Sequence, residues 1–403
     1  MWGGLSTLAR SRSTGGMLIS VLGDTFADIV CRPLKQLPTW GTDTVVSEPV
    51  RVMLGGSAAN FAVHATNLNR AAAVETTTTT PTKILREKPA DHGAAATGAA
   101  EGAPQGLGQQ RCVLHTTVGS DDMGEFVRRK LDEHGVEWSQ TKAGKNQGAC
   151  VVLSGSEDRS FITHRGSTAQ FCREDIDVPR LLESQHVHVA GFYNFPSLWK
   201  DLPGILAEAK AAGASCSLGP QWDASEEWGG LEPLYPYLDV FIPNEVEALN
   251  ISGCGDVLEA ASFFLDKGVG LVAVTRGGSG ALAVCKRRSG GGGGSSDGEG
   301  SEKDGGGCLA EAGGGGGGGD LHTWEQRCAP VEIVDTTGAG DAFSAGFLSI
   351  WKATGGGSGA EESGGGDVQA ALRWGCALGT AVVARVGASP KLSIEEDVRP
   401  NLV

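Results

Sequence analysis

The chain has 403 residues, a hydrophobic fraction of 40% and a formal net charge of −15 at pH 7. So acidic a protein is poorly suited to nucleic acid or an anionic membrane, since both require a basic surface. No apolar run approaches the roughly 18 residues that span a bilayer, and ten cysteines without a CxxC pair or zinc-like spacing favour reduced thiols and a cytoplasmic protein.

Low-complexity segments divide the chain. Residues 1–16 hold two arginines and no acid, so we expect a disordered extension, with a short organelle-targeting segment as the alternative. Residues 17–403 are predicted to form a single domain. Three glycine-rich or threonine-rich segments read as surface insertions, which a stable domain tolerates because loop-closure entropy grows slowly with length. They lie at about 71–110, 288–321 and 355–366.

Strand-like apolar runs alternate with helical patterns in the rest of the chain. The predicted elements, in chain order, are a strand at 17–24, helices at 57–68 and 121–135, a strand at 186–192, a helix at 202–213, a strand and a helix within 238–253, a helix at 256–268, two strands joined by a glycine turn at 271–284, and a strand, glycine turn and helix within 331–353. This alternation predicts a mostly parallel sheet with helices on both faces, an α/β/α sandwich.

Two stretches interrupt the alternation. Residues 29–54 and 148–165 are extended and partly alternating, without a helix between strand-like runs. They are predicted to pair as a small antiparallel sheet beside the main domain. A sheet inserted near the first strand is a candidate lid.

The stretch 334–343, VDTTGAGDAF, is the strongest chemical signal. An apolar strand is predicted to end there, and an apolar helix to begin at Asp341. The turn would leave the N–H groups of Gly338, Ala339 and Gly340 free at a helix N-terminus, which favours an anion. A carboxylate beside that anion can accept a proton from an attacking hydroxyl. The plainer alternative is that Asp341 is only a helix cap.

DTTGAGDAFSAGF (335–347) resembles the C-terminal signature of the ribokinase (PfkB) family of carbohydrate and nucleoside kinases. The resemblance extends over almost the whole chain apart from the three insertions. It implies a ribokinase-like fold with a small β-sheet lid, ATP and Mg²⁺ as cofactors, and transfer of a phosphoryl group to a small-molecule hydroxyl. Asp341 would be the base, and the amides of Gly338, Ala339 and Gly340 the anion hole.

Two earlier stretches resemble the sugar-binding segments of that family. GGSAAN (55–60) contains Gly55, Gly56 and Asn60, and GDTFAD (23–28) ends at Asp28. Two glycines allow close backbone approach to a polyhydroxy ligand, and an Asn offers a donor and an acceptor. Alone, GGSAAN reads as a loop before a helix. The resemblance makes all four residues substrate ligands, but the Glu that ribokinases carry near 191–193 is missing.

Two further stretches resemble the nucleotide-binding segments. PNEVE (243–247) matches a PNxxE pattern, which implies that Asn244 contacts the nucleotide and Glu247 holds magnesium through water. TRGGSG (275–280) joins two predicted strands, and the resemblance places Thr275, Gly277 and Gly280 along ATP. A capped helix start and a glycine hairpin are the plain alternatives.

The family also suggests a bound ion and a partner copy. ARVGASP (384–390) resembles the segment that surrounds a monovalent cation together with the 335–337 loop. Asp335 and Thr337 are therefore candidate ligands for K⁺. Lid strands in this family often pair between protomers, which suggests a homodimer.

The motifs discriminate among four functions. A kinase acting on a sugar or sugar-like molecule is favoured. A nucleoside kinase of the adenosine type is the alternative, since Phe26, Phe192, Tyr193 and Trp222 could stack on a base. A catalytically silent binding protein is disfavoured by the intact motifs. A dinucleotide-binding oxidoreductase is excluded because the glycine turn is near the C-terminus and lacks the third glycine and the downstream acid of that fingerprint.

Overall fold

The computed structural model describes residues 16–78, 109–139, 145–155, 159–287, 321–357 and 367–403. Nearly all of the predicted N-terminal extension and most of the three predicted insertions lie outside these ranges. The division of the chain into an extension, one domain and three insertions therefore stays a prediction.

The described residues contain two sheets. Their strands, in chain order, are β1 (Leu18–Gly23), β2 (Phe26–Leu34), β3 (Arg51–Gly55), β4 (Arg111–His115), β5 (Glu137–Ser139), β6 (Ala149–Gly155), β7 (Arg159–His164), β8 (His186–Ala190), β9 (Ser215–Gly219), β10 (Val240–Phe241), β11 (Leu271–Thr275), β12 (Ala281–Lys286) and β13 (Leu321–Gln326). The large sheet has the spatial order β13-β12-β11-β10-β9-β8-β1-β4-β5. From β11 to β5 all neighbours are parallel, and β12 and β13 add an antiparallel edge.

Helices cover both faces of the large sheet. They are α1 (Ser57–Thr78), α2 (Asp122–His134), α3 (Val178–Leu182), α4 (Leu202–Ala211), α5 (Glu245–Ser252), α6 (Val257–Asp266), α7 (Ala339–Ala353) and α8 (Val368–Val383). Side chains that alternate along a strand point to opposite faces of the sheet. On β11, Ala273 packs on the face covered by α1, α2, α7 and α8, whereas Val272 and Val274 pack on the face covered by α3 to α6. The predicted α/β/α sandwich is confirmed. Among the described helices, none combines the length and apolarity needed to cross a membrane.

The smaller sheet has the order β3-β2-β6-β7. Each outer pair is antiparallel, as predicted, but the central strands β2 and β6 are parallel. The prediction of an antiparallel sheet was wrong at this pair. Both strands leave the main domain in the same direction, and each then folds back through its own hairpin. We call this sheet the lid.

The segment before α7 also differs from the prediction. Residues 331–334 form no strand, and Ile333 is 64% exposed. The chain has already left the large sheet at Gln326, so these apolar residues have no sheet neighbour, and the Val334 N–H bonds to the Val383 carbonyl. Helix α7 begins at Ala339, two residues before the predicted start at Asp341. Helix α1 likewise continues to Thr78, beyond the predicted end at Leu68.

Candidate active site

The chemically interesting side chains gather where the parallel strands of the large sheet end. Asp24 follows β1, and its Oδ1 accepts a hydrogen bond of 2.9 Å from the Ala58 N–H in the first turn of α1. Asn60, also in that turn, donates to Asp341 in the first turn of α7 at 2.9 Å. The carboxyl edge of a parallel sheet is the usual ligand site in this class of fold. The first turns of α1 and α7 therefore meet at the expected position.

Asp341 is the third residue of α7 rather than the first. Gly338 is the residue before the helix, and its φ of +76° belongs to the left-handed region that favours glycine. Removal of water from around the Asp341 carboxyl raises its pKa to about 6, and the hydrogen bond from Asn60 opposes that rise. The carboxylate is thus kept near the protonation range that suits a general base at neutral pH.

Both ends of the Asn60 side chain bond to the protein. Its Nδ2 donates to Asp341 Oδ2, and its Oδ1 accepts a 2.7 Å hydrogen bond from the Ser389 hydroxyl. A flipped amide would turn Oδ1 towards the Asp341 carboxylate and cost a repulsive contact. Asn60 was predicted to bind substrate. In the structure its amide is already engaged, and the sequence analysis missed Ser389.

The turn before α7 leaves backbone donors unsatisfied. Within the described residues, the N–H groups of Gly340 and Asp341 have no hydrogen-bond partner, and the Ala339 N–H makes only a 3.4 Å bond to the Thr336 carbonyl. A side chain at Gly338 would come within 2.4 Å of the Ala388 carbonyl oxygen, so the turn packs tightly on the C-terminal segment. These donors and the helix dipole make the predicted cradle suitable for an anion.

The 335–337 loop is held by side-chain contacts. Asp335 Oδ1 accepts from the Thr337 N–H and hydroxyl at 2.9 and 2.7 Å, and Oδ2 accepts from the Gly387 N–H at 2.9 Å. Arg159 of lid strand β7 donates to the Thr337 hydroxyl at 2.9 Å and lies 3.9 Å from Asp335. The sequence analysis missed this arginine. Binding of K⁺ by Asp335 and Thr337 stays a prediction. The Arg159 guanidinium already supplies positive charge beside both residues.

Asp28 in β2 lies directly against Gly55 in β3. Asp28 is only 8% exposed, and a side chain at Gly55 would come within about 2.1 Å of its carboxylate and displace it. Burial and the neighbouring Asp24 raise the pKa of Asp28 to about 7. Since no other described residue hydrogen-bonds to this carboxylate, it is available to a ligand. Gly56, the other predicted glycine, comes next and packs against Asp24.

Asp24 is more fully engaged. One oxygen accepts from Ala58, and the other accepts a 2.7 Å hydrogen bond from Asn194 Nδ2. Burial nevertheless raises the pKa of Asp24 to about 7. Asn194 lies just beyond Tyr193, close to where the family's Glu was found missing. Its role could not be anticipated, because only the fold brings it to Asp24.

Asn244 and Glu247 cap the start of α5. The Asn244 side chain accepts from the Glu247 N–H at 2.8 Å, and Glu247 Oε2 accepts from the Asn244 N–H at 2.9 Å. The two residues thus form a reciprocal capping box, the structural alternative to nucleotide and magnesium binding. Burial raises the pKa of Glu247 to about 7, and the charge of Asp341 adds to the rise. The charge of Asp341 thus acts on Glu247, and carboxylate oxygens are ligands that a hard cation such as Mg²⁺ prefers.

A cavity of about 440 Å³ opens beside the hairpin between β11 and β12. It is lined by Arg276, Gly278, Ser279, Glu325, Arg327 and Cys328. The predicted contacts Thr275, Gly277 and Gly280 belong to the same hairpin but not to the lining. Thr275 forms a bridge to Asn244, which joins the hairpin to the start of α5. Arg276 forms an ion pair with Glu325 across the cavity wall.

Comparison with known proteins finds relatives of this chain in sequence and in fold. The chain is 28% identical over 250 residues to a fructoselysine 6-kinase from Shigella flexneri, covering 61% of this chain and 76% of that protein. It is similar in fold to an adenosine kinase from Sinorhizobium meliloti, with a TM-score of 0.66, 16% identity and coverage of 96% and 99%. An E. coli protein solved in complex with ATP and Mg²⁺ matches with a TM-score of 0.64, 19% identity and coverage of 94% and 97%.

A family model extends the match along most of the chain. Residues 93–293 and 319–395 match the model described as pfkB family carbohydrate kinase. The second range contains the turn before α7, and the first contains the starts of α5 and the β11–β12 hairpin. The match thus includes the elements that form one side of the site. The chain belongs to the pfkB family of carbohydrate kinases.

Proposed function

We propose that the protein transfers the γ-phosphate of ATP to a hydroxyl of a sugar or sugar-like small molecule, with Asp341 as the base. The observation that carries this proposal is the pairing of a carboxylate with unsatisfied N–H donors in one helical turn. Phosphoryl transfer requires positioning and stabilisation of charge on the transferring oxygens. Both requirements meet at the first turn of α7.

In the proposed reaction the acceptor hydroxyl approaches Asp341 while the γ-phosphate lies over the turn. Asp341 takes the hydroxyl proton as the new O–P bond forms and the bond to the leaving ADP oxygen breaks. The amides of Gly338, Ala339 and Gly340 bind the negative charge on the phosphate oxygens. The lid excludes water, which would otherwise compete as an acceptor.

Asp28, Gly55, Gly56 and Asn60 are the proposed acceptor site. The Asp28 carboxylate can accept hydrogen bonds from two hydroxyl groups of a polyol. Asn60 would act mainly by holding Asp341, because its amide is engaged on both sides. A relative that phosphorylates fructoselysine supports a sugar-derived acceptor but does not define it.

Glu247 is the proposed magnesium residue, acting through water, with most of the coordination left to water and phosphate oxygens. Within the described residues no three His, Cys, Asp or Glu side chains come together as a metal site, which suits a cation held largely by its substrate. Bound Mg²⁺ would supply positive charge to the phosphates of ATP. Asn244, Thr275, Gly277 and Gly280 are the proposed nucleotide contacts around the hairpin cavity.

A nucleoside acceptor is the second candidate. Of the four aromatic residues considered for base stacking, Phe26, Phe192 and Tyr193 are buried, whereas Trp222 is 48% exposed in the loop after β9. That loop follows a strand whose carboxyl end lies at the site, so Trp222 could stack on a base. Competition between adenosine and sugars for phosphate transfer separates the two candidates.

A homodimer through the lid is also proposed. Val52, Phe161 and Ile162 of the lid strands are 46%, 54% and 63% exposed, and apolar side chains of this kind favour burial in an interface. Light scattering of the purified protein, compared with a Phe161→Ser, Ile162→Ser variant, tests this. A monomeric wild type would contradict the dimer.

The central test uses Asp341→Asn with a panel of sugars, polyols and nucleosides. We expect nucleotide affinity to persist and phosphate transfer to fall by about 100-fold to 10,000-fold, as is usual on loss of a general base. Asp256→Asn is the matched control, because Asp256 only caps α6 and Asn caps equally well. Wild-type turnover in Asp341→Asn would exclude Asp341 as the base.

A further inference from the structure

Three carboxylates, those of Asp24, Asp28 and Asp341, all contact the short segment 55–60. Asp28 lies against the first residue of this segment, and Asp341 accepts a 2.9 Å hydrogen bond from the side chain of the last. Asp24 accepts a 2.9 Å hydrogen bond from the N–H of the fourth residue. Because the segment is so short, the three carboxylates are gathered around one small space.

The positive charge that would balance these carboxylates is not supplied by the described part of the chain. None of the lysines and arginines there forms an ion pair with Asp24, Asp28 or Asp341, and Arg159 of the lid is directed to Thr337 instead. Burial, and then the charges of the neighbouring acids, raise the pKa of Asp28 to about 7. The acceptor site is therefore rich in negative charge.

Two of the three carboxylates are compensated by helices. Asp24 binds an N–H in the first turn of α1, and Asp341 is in the first turn of α7, where the helix dipole favours negative charge. Asp28 is in strand β2, and no described residue donates a hydrogen bond to its carboxylate. At 8% exposure, Asp28 is a buried acid without a partner, which is costly unless a ligand provides one.

The neighbours of Asp28 on its face of the lid are uncharged. Met53 and Cys150 are directly opposite Asp28 on the two adjacent strands. Phe26 and Val30, two residues away in each direction along β2, point to the same face. The carboxylate thus lies among side chains that cannot neutralise it.

We propose that the acceptor carries a protonated amine that pairs with the Asp28 carboxylate, which makes the acceptor an amino sugar or a sugar with an amine substituent. This inference rests on the proposed function, because it takes Asp28 as part of the acceptor site. A primary ammonium has three N–H donors and a full positive charge. One group therefore supplies both the hydrogen bond and the opposite charge that Asp28 lacks, whereas a hydroxyl supplies only the hydrogen bond.

A metal ion fits this position less well than an amine. Among the described residues no three His, Cys, Asp or Glu side chains come together as a metal site, and Met53 and Cys150 offer no oxygen ligand to a hard cation. The same carboxylates would repel a phosphorylated sugar, whose negative charge would lie beside them. The site is therefore expected to prefer an amine to a hydroxyl, and a hydroxyl to a phosphate.

The test compares sugars that differ in one amine. D-glucosamine is paired with D-glucose, D-galactosamine with D-galactose, and 1-amino-1-deoxy-D-fructose with D-fructose, and each is titrated into the full chain by calorimetry at neutral pH. We expect at least one amine to bind about tenfold to hundredfold more tightly than its hydroxyl partner, because hydrogen bonds between charged groups are the stronger ones. Equal affinity within every pair, or failure of every amine to bind, would overturn the inference.

Two variants test whether the charge of Asp28 causes the preference. Asp28→Asn keeps the size of the side chain and removes its charge, so the preference for the amine should fall to about threefold or less. Met53→Lys places an ammonium of the protein opposite Asp28 and should abolish the same preference, which keeps the test open should Asp28→Asn fail to fold. Asp256→Asn, at the distant cap of α6, should keep the wild-type ratio. A wild-type ratio in Asp28→Asn or Met53→Lys would refute the pairing.

A second readout separates this inference from the kinase reaction. The ratio of kcat/KM within each pair, measured as phosphate transfer from ATP, should follow the ratio of affinities. Tighter binding of the amine without transfer to any acceptor would support the acceptor class and refute the proposed function. Transfer with equal kcat/KM and equal affinity within every pair would support the kinase and refute the acceptor class.

Discussion

A carboxylate can accept a proton from an attacking hydroxyl only while it is itself ionised. At Asp341 loss of surrounding water raises the pKa, and the side-chain contacts with Asn60 and Ser57 lower it. Ser389 affects the pKa of Asp341 indirectly, because its hydroxyl fixes the orientation of the Asn60 amide. The protonation of the proposed base thus depends on Ser389, which is far along the chain from Asp341 and from Asn60.

Ser389→Ala is expected to shift the acid limb of the pH–activity profile upwards. Without the Ser389 hydroxyl, the Asn60 amide bonds less persistently to Asp341, so the carboxylate ionises at a higher pH. One hydrogen bond contributes about 0.5–1.5 kcal/mol, which corresponds to a shift of up to about one pH unit. The dependence of kcat/KM on pH measures it.

Ser393→Ala is the control for that shift. Ser393 is in the same C-terminal segment, but its hydroxyl accepts a bond from the Glu396 N–H and has no contact with the site. If Ser389→Ala lowers activity equally at every pH, the serine only stabilises the segment, and its effect on Asp341 is disproved.

The part of the site that could be predicted from the sequence consists of residues that are adjacent along the chain. The turn at 338–340 and its buried helix could be read from adjacent residues. The partners of Asp341 could not, because Asn60 is 281 residues away along the chain, and the ARVGASP stretch that contains Ser389 suggested only a cation site. Arg159 was missed for the same reason, since its contact with Thr337 spans 178 residues.

At the scale of elements, β8 and β9 carry an unusual polar ladder inside the parallel sheet. His186 bonds through Nδ1 to Ser215 and through Nε2 to Ser217, each at 2.7 Å, and His188 Nδ1 bonds to Ser217 at 2.8 Å. Burial lowers the pKa of both histidines, that of His188 to about 3. The two strands are therefore joined through neutral imidazoles, and protonation would break the ladder.

Acid should destabilise the protein through these histidines. In the unfolded chain a histidine takes up its proton near pH 6.5, whereas the folded protein resists until about pH 3, so stability falls as pH decreases below 6.5. His188→Gln should remove about 2 kcal/mol of the loss in unfolding free energy between about pH 6.5 and pH 5. Urea unfolding at both pH values measures the difference.

The control for this effect is His322→Gln. His322 is exposed on edge strand β13, where it stacks on Trp324. Its replacement should leave the pH dependence of unfolding as in the wild type. A wild-type pH slope in His188→Gln would show that the buried ladder does not drive acid unfolding.

Hydrophobic periodicity predicted which segments form helices and which form strands, but it did not predict which strands pair with each other. Residues 331–334 have the apolar, β-branched composition of a strand, yet no neighbouring strand is available to pair with them. The lid strands were recognised, and only their direction at β2 and β6 was wrong. Pairing depends on where two distant segments meet, which hydrophobic pattern does not encode.

At the scale of the whole molecule, the lid and the main domain meet at the 334–337 loop. Arg159 of β7 donates to Thr337, and Arg32 of β2 donates to the Val334 carbonyl oxygen at 3.3 Å. Both arginines reach from the lid to the loop that precedes the proposed anion cradle. Lid position and cradle geometry are therefore connected through these side chains.

Arg159→Ala should partly uncouple ATP hydrolysis from transfer. Loss of the contact with Thr337 would let the lid open more often, so water would reach the γ-phosphate. We expect the ratio of ADP released to acceptor phosphorylated to rise by about threefold to tenfold, consistent with the roughly 0.5–1.5 kcal/mol that one hydrogen bond contributes. Parallel assays of ADP and phosphorylated product give this ratio.

Arg51→Ala provides the comparison in the same sheet, since Arg51 is exposed on edge strand β3. It should keep the wild-type ratio. An unchanged ratio in Arg159→Ala would exclude a role for this contact in keeping water out.

The pairing of β12 with β13 determines how the chain can be re-engineered. Lys286 is the last residue of β12, and it is directly opposite Leu321, the first residue of β13. Neighbouring strands lie about 5 Å apart, so a two-residue turn could replace everything between them, or new chain ends could be opened there. A circular permutant or a reporter domain grafted at this point would leave every strand partner of the large sheet in place.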